Sequence, residues 1–414
     1  MAENLLDRYE QFMNPGLARV FRFTGIDSVE DHGLGCLVWD ESGRAFIDCA
    51  GGYGVFNQGY QHPRIVSAAH RQLDKMGISS HVLESRPSVD LAEMLARVTP
   101  GDLQYSFFCN SGTEAVEGAL KFARAATGRT QIISTVGAFH GKTYGSLSVS
   151  GRRLYQEPFE PLVPDVIRVP YGDAKAVAAV ISKDTAAVII EPIQGEGGVV
   201  VPPDTYLPEL RHLCDVHGAL LIVDEVQTGM GRTGHLFAVE HSQVVPDLLC
   251  LAKALGGGLV PIGAIVGRPN AWQFFESSPL IHTSTFGGNP LASAVALEAL
   301  TVTIEEELPE RALRLGQYFL DALKGLQQRY PRAIIEVRGR GLMIGIEVVG
   351  AGVGGALISE LFQRQVLVVY TLNNEKVIRL MPPLVITQDQ LDTVLARLDA
   401  ALAAIYPNID DLVD

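Results

Sequence analysis

Between residues 104 and 266, short continuous apolar runs alternate with segments of helical period, and no other feature restricts the fold as strongly. A strand can be apolar on both faces only where helices cover both sides of its sheet. "QYSFFC" (104–109), "AAVII" (186–190), "ALLIVD" (219–224) and "PIGAIVG" (261–267) therefore predict strands of an α/β sheet, largely parallel. Between them, "TEAVEGALKFARAATG" and "TYLPELRHLCDVHG" predict helices that each stop at a glycine. A long helical pattern from Pro290 to about Leu308 leads into a second region, with a further helix, strand-like "AIIEVRG" and "MIGIEVV", and a last helix from about Gln388 to Ile405. The expected organisation is a large α/β domain over residues 46–300 and a smaller α+β domain over 301–414. Residues 1–45 are expected to contribute to the smaller one. No repeat or long polar linker separates the two, so they should pack closely.

Inside "LCLAKALGGGLVPIGAIVG" (249–267) stands a single charged side chain, Lys253. An unpaired buried ammonium is costly or gives up its proton, so this lysine needs a partner or a chemical use. Gly256, Gly257, Gly258 and Pro261, with the charge itself, argue against a membrane span. Two readings remain: a lysine that snorkels from a strand into a glycine-rich turn, or a nucleophile that condenses with a carbonyl.

The net charge of −14, with no lysine- or arginine-rich block, removes the footprint that nucleic acid or an anionic membrane would require. The start, "MAENLLDRYEQF", is polar and acidic rather than leader-like, so a cytoplasmic location is expected. Five scattered cysteines form no C-x-x-C pair, His212 and His217 lie on different helix faces, and there is no H-E-x-x-H. Neither a disulfide framework nor a metal site is expected.

Ser111, Gly112 and Thr113 follow a predicted strand and open a predicted helix, where free N–H groups and the helix dipole can hold a phosphate. The same residues fit a capping box with Glu114 that needs no ligand. "GMGRTG" (229–234) matches a dinucleotide fingerprint, but no clear helix follows and no acid stands about 20 residues on, so the match is read as coincidence. "ALLIVDEVQTG" ends a buried strand with Asp224, followed by Val226 and Gln227. "EPIQGEGG" (191–198) offers a second carboxylate, Glu196, in a glycine-rich loop, and "FHG" places Phe139 beside His140. Each has a plain structural explanation when taken alone.

Together they suit one cofactor. Pyridoxal 5′-phosphate has a phosphate, a basic ring nitrogen, a flat π-face and an aldehyde. On "SGTEA", "AFHGKT", "EPIQGEGG", "VDEVQTGMGRTG", "AKALGGG" and "TSTFGGNP", the chain resembles the class III (omega) aminotransferases, fold type I of the pyridoxal phosphate-dependent transferases, over nearly its full length. Within that family it looks most like the putrescine (diamine) aminotransferases and is related to the ornithine and acetylornithine enzymes. The resemblance implies that Lys253 condenses with the cofactor and then moves protons, and that Asp224 faces the pyridine nitrogen. It implies that Gln227 bonds the phenolic oxygen, Phe139 and Val226 pack on the ring faces, and His140 belongs to the same cofactor site. Ser111, Gly112 and Thr113 would hold the phosphate, joined by Thr285 from the neighbouring subunit of a homodimer with shared sites. Arg379 would bind the oxo acid's carboxylate, Glu196 would gate it, and Tyr53 would line the entrance. Lys142 stands where the ornithine enzymes carry an arginine for the α-carboxylate. A lysine lacks the bidentate fork, so recognition of an α-carboxylate there should weaken.

The expected reaction is ping-pong transfer of a terminal amino group from a diamine, such as putrescine or cadaverine, to an oxo acid such as 2-oxoglutarate or pyruvate. Ornithine, acetylornithine, lysine or 4-aminobutyrate as donor, or a specialised biosynthetic aldehyde as acceptor, are the alternatives. A cofactor-holding regulator without turnover is disfavoured, because no basic helix-turn-helix module is present.

Overall fold

A computed structural model describes residues 5–24 and 28–413. Near the N-terminus, β1 (Glu30–Leu34), β2 (Leu37–Asp40) and β3 (Ala45–Asp48) form an antiparallel meander. The central sheet follows, built from β4 (Tyr105–Cys109), β5 (Gln131–Thr135), β6 (Val166–Val169), β7 (Thr185–Ile190), β8 (Leu220–Asp224), β9 (Leu248–Leu251) and β10 (Gly263–Gly267). Its order is β4-β10-β9-β8-β7-β5-β6. The pairs from β9 to β6 are parallel, whereas β10 runs antiparallel to both of its neighbours. The carboxyl ends of β4 to β9 therefore emerge at one edge, where ligands of open α/β sheets bind.

Every residue of β7, β8, β9 and β10 is buried, as continuous apolar runs require when helices cover both faces. The Gly112–Thr127 and Tyr206–His217 helices end at Gly128 and Gly218, with φ of 68° and 64°. A residue without Cβ takes this left-handed turn at least cost, so the two glycines set the helix ends. The pattern predicted to run from Pro290 to about Leu308 breaks earlier. Its helix stops at Glu305, Glu307 turns left-handed at φ 51°, and Pro309 lies in the first turn of the next helix. A proline lacks the N–H that would continue the first helix but is tolerated at the start of the second.

The second region carries β11 (Ile334–Arg340), β12 (Met343–Val348), β13 (Val366–Leu367), β14 (Val369–Thr371) and β15 (Asn374–Leu380). An antiparallel sheet of order β11-β12-β15-β14 is the centre of this smaller α+β part, and β13 pairs in parallel with β3. Cys36, Ile47 and Cys49 accordingly share a core with Phe319, Leu323, Ile344, Leu357 and Leu398.

"GMGRTG" opens no helix. It forms a turn whose fully buried Arg232 donates to the carbonyls of Leu342 (2.8 Å) and Pro382 (2.6 Å) and to Asn57 Oδ1. The turn thereby ties the end of β8 to the strands of the smaller part. Among the described residues no helix is long and apolar enough to cross a membrane.

Candidate active site

The strand ends converge on a cavity of about 490 Å³. β8 delivers Asp224 as its last residue. One Asp224 oxygen accepts the Val226 N–H at 3.0 Å, and the other lies 2.7 Å from Nδ1 of the buried His140. Burial opposes a charge on His140, but the Asp224 hydrogen bond and charge outweigh it and raise the imidazole above its ordinary range. The carboxylate is thus fixed in orientation from two sides.

β9 delivers Lys253 two residues past its end, with φ of 48°. A left-handed lysine is strained, a condition that persists where the surroundings impose it and that clusters at functional sites. Burial brings its pKa down to about 8, although the carboxylates of Glu196, Asp224 and Glu191 pull the other way and Arg379 adds to the fall. At about pH 7.5 roughly a quarter of such a group is a free amine, against about 0.1% at the ordinary value of 10.4. The free amine is the form in which a lysine can attack a carbonyl.

After β4, Ser111 caps the Gly112–Thr127 helix: its Oγ accepts the Glu114 N–H at 3.2 Å. The reciprocal half of the expected capping box is displaced by one residue, because Glu114 Oε2 accepts the N–H of Asn110 at 2.6 Å. Gly112 and Thr113 contribute the first N–H groups of the helix, which have no intrahelical acceptor, and both residues line the cavity. A Cβ at position 112 would lie 2.8 Å from Val226 Cγ1, so this close approach requires glycine. Phe139, Val226 and Gln227 complete the walls.

Arg379 lies on β15, fully buried. Its Nη1 donates to Glu196 Oε1 and, at 3.3 Å, to Gln227 Oε1, and its Cζ lies 5.4 Å from the Tyr53 ring centroid. Nε and Nη2 of Arg379 have no hydrogen-bond partner among the described residues. Burial opposes the Glu196 charge, but Arg379, the Leu372 N–H at 2.9 Å and Lys253 prevail and lower its pKa. Glu196 lines the cavity, whereas Arg379 stands behind it.

Besides Arg379, three of the sequence-predicted residues lie off the cavity wall. Lys142 is exposed, its Nζ 4.2 Å from the ring centroid of Tyr155. Thr285 is exposed too, its carbonyl 2.7 Å from His81 Nε2. Neither lines this cavity, nor does the half-exposed Tyr53, whose carbonyl accepts from Gln227 Nε2 at 3.1 Å.

Glu191 was not singled out in the sequence, yet it is the acid directly after β7, and Glu196 lies five residues further on. Glu191 lines the cavity and accepts the N–H groups of Phe139 (3.0 Å) and Gly195 (3.1 Å). Burial pushes its pKa up to about 7 despite the nearby His140 charge, with Asp224 adding to the rise. The end of the run "AAVII" was the signal that could have found it.

The family model of class-III aminotransferases matches residues 25–402. This chain belongs to that family. Ornithine aminotransferase from Toxoplasma gondii ME49 is 35% identical over 92% of both chains, with a TM-score of 0.88. Another structure of the T. gondii enzyme, 33% identical over 99% of both chains at a TM-score of 0.88, shows partial occupancy of pyridoxal 5′-phosphate at its active site. An (S)-enantioselective omega-transaminase from Thermomicrobium roseum is 32% identical over 91% of this chain and 92% of its own, with a TM-score of 0.86. Class III aminotransferases depend on pyridoxal 5′-phosphate, and this aminotransferase has the donor set that the cofactor requires. It offers a lysine of lowered pKa, a fixed carboxylate, an aromatic and an aliphatic wall, and a capped helix start without side-chain bulk at position 112.

Proposed function

We propose that this aminotransferase moves a terminal amino group from a diamine such as putrescine or cadaverine to an oxo acid, in two alternating half-reactions. The bound cofactor supplies an aldehyde that condenses with amines and a protonated ring that draws electrons from the breaking bond. The chain supplies the rest. Lys253 anchors the cofactor and, once released, carries the proton to and from the substrate carbon. Asp224, held by His140 and the Val226 N–H, keeps the ring nitrogen protonated. Gly112 and Thr113, capped by Ser111, would hold the phosphate, Phe139 and Val226 would pack against the ring, and Gln227 would bond its phenolic oxygen.

The observation that carries the donor assignment is the charge of the cavity wall. Among the lining residues Lys253 is the sole lysine or arginine, whereas Glu191, Glu196 and Asp224 are acids. With Arg379 neutralised behind Glu196 and Lys142 turned to Tyr155, the wall's cations are Lys253, reserved for the cofactor, and the His140 imidazole held by Asp224, and neither is free to receive an α-carboxylate. A donor with an amine at both ends is accommodated; an amino acid donor leaves a carboxylate facing acids. When an oxo acid arrives, Glu196 moves aside, and Arg379 presents Nη1 together with the unpartnered Nη2 as a bidentate fork.

The similarity to ornithine aminotransferases favours a second reading with ornithine as donor. A donor panel in the first half-reaction, followed through the cofactor's absorbance, separates the two. Putrescine or cadaverine is expected to react at least about tenfold faster than ornithine or 4-aminobutyrate, the cost of leaving one charged group unpaired. Ornithine outpacing putrescine severalfold would refute the diamine assignment.

A second copy of the chain is part of the proposal. Thr285 sits on an exposed segment beside exposed Leu280 and Phe286, and its partner His81 adjoins exposed Val82 and Leu83. This apolar surface supports burial against a neighbouring subunit, through which Thr285 would reach the partner's phosphate site.

A further inference from the structure

The proposed alternation of donor and acceptor requires Glu196 to leave Arg379, and three further contacts hold that glutamate in place. Leu372, in the turn between β14 and β15, donates its N–H to Glu196 Oε2 at 2.9 Å. Asn373 donates its N–H to the Glu196 carbonyl at 2.9 Å, and its side-chain amide donates to the Gly137 carbonyl at 2.8 Å. Gln227 Nε2 approaches Glu196 Oε1 at 3.4 Å. The turn is itself fastened from the other side. Tyr155 donates its hydroxyl to the Leu372 carbonyl at 3.2 Å, and Arg152 pairs with Glu375 at 3.1 Å. The Tyr155 ring is braced by two cations, Lys142 Nζ at 4.2 Å and Arg152 Cζ at 5.1 Å from its centroid.

A continuous path thus runs from Lys142 through Tyr155 and Leu372 to Glu196 and Arg379. We infer that the β14–β15 turn is a latch on the Glu196–Arg379 pair, and that Tyr155 is the positioning residue that sets its hold, deciding how readily a carboxylate displaces Glu196. Departure of Glu196 strips the Leu372 N–H of its acceptor, so the turn has to give way as the gate opens. On this path Lys142 acts on acceptor selection through Tyr155, without touching substrate. The inference rests on the reading of Arg379 as the carboxylate site.

The test compares the holoenzyme with its Tyr155→Phe variant, which loses the hydroxyl that donates to the Leu372 carbonyl and accepts from Arg152 Nη1 at 3.4 Å, and keeps the ring between its two cations. Both are titrated with glutarate, an unreactive dicarboxylate with the carbon skeleton of 2-oxoglutarate, and amide exchange of the peptide spanning residues 371–375 is followed by mass spectrometry. In the wild-type holoenzyme this peptide should lose protection as glutarate binds. In the variant it should exchange faster from the outset, and glutarate should bind roughly two- to tenfold more tightly, the worth of one hydrogen bond. The donor half-reaction, run with whichever amine proves reactive, should keep its rate within about twofold. Equal or weaker glutarate binding by the variant, or a peptide whose exchange ignores glutarate, would overturn the latch. If neither protein binds glutarate, Arg379 is not the carboxylate site, and the latch falls with it. The identity of the donor affects none of these readings.

Discussion

Replacing Lys253 with alanine is expected to lower transamination by about 10³-fold or more while the fold is retained. On the proposed reading the loss has two sources, both located on one nitrogen: the amine that anchors the cofactor and the base that moves the proton during each half-reaction. The structure gives no reason for the variant to unfold. Burial disfavours the Lys253 ammonium in the folded chain, bringing its pKa well below the ordinary lysine value, to about 8. A cation with a folded pKa below its unfolded one opposes folding at any pH at which it stays protonated, so its removal relieves a cost. Steady-state rates together with thermal unfolding of the cofactor-free proteins check this. An unfolding midpoint equal to or above that of wild type is expected, with activity near background.

Replacing Arg379 with alanine should divide the two half-reactions. The oxo acid half-reaction is expected to lose about 10²–10³-fold in kcat/KM, because the cation that would pair with the carboxylate is gone. The donor half-reaction should lose far less, since Arg379 stands behind Glu196 and off the cavity wall. Stability also falls, because Glu196 loses its closest partner and keeps the Leu372 N–H, the distant Gln227 amide and the Lys253 charge. The sign of the pH dependence follows from the lowered Glu196 pKa. A carboxylate whose folded pKa lies below its unfolded value stabilises the protein above that unfolded value, and the contribution vanishes as pH falls through the folded pKa. The unfolding midpoints of wild type and variant should therefore differ most near neutrality and draw together as pH falls below the ordinary glutamate value of about 4.3. Pre-steady-state rates of each half-reaction measure the division, and equal losses in both would contradict the role given to Arg379.

The parts of the fold that were legible in the sequence were those under strict local rules. Continuous apolar runs marked β7 and β8, and glycines placed the ends of the Gly112–Thr127 and Tyr206–His217 helices to the residue. β5 and β6 escaped because each mixes apolar with polar residues, "QIIST" and "VIRV", in which Ser134 and Thr135 are buried and Arg168 spends its donors on the Ser148 and Ser150 carbonyls. β9 lay within the longer apolar run that also contains Lys253, where a strand before the glycine-rich turn was one reading but its ends were not marked.

Cavity-lining residues carried by recognisable motifs, such as Gly112, Phe139, Asp224 and Lys253, could be grouped in advance, since a motif keeps its members within a few positions of one another. Contacts between distant segments could not. Tyr155 and Leu372 are 217 positions apart, and Glu196 and Leu372 are 176 apart. Nothing local in "TLNNEK" announces that a backbone N–H will hold a carboxylate. Glu191 was obscured for a different reason: although the apolar run ends directly before it, the glycine-rich loop drew the functional reading to Glu196.

The whole reading depends on a covalent bond between Lys253 and pyridoxal 5′-phosphate. Borohydride reduction of the holoenzyme, followed by proteolysis and mass spectrometry, tests it directly. The expected result is a pyridoxyl phosphate adduct on Lys253 and no other lysine. An unmodified Lys253 in cofactor-saturated protein, or an adduct confined to another lysine, would contradict it.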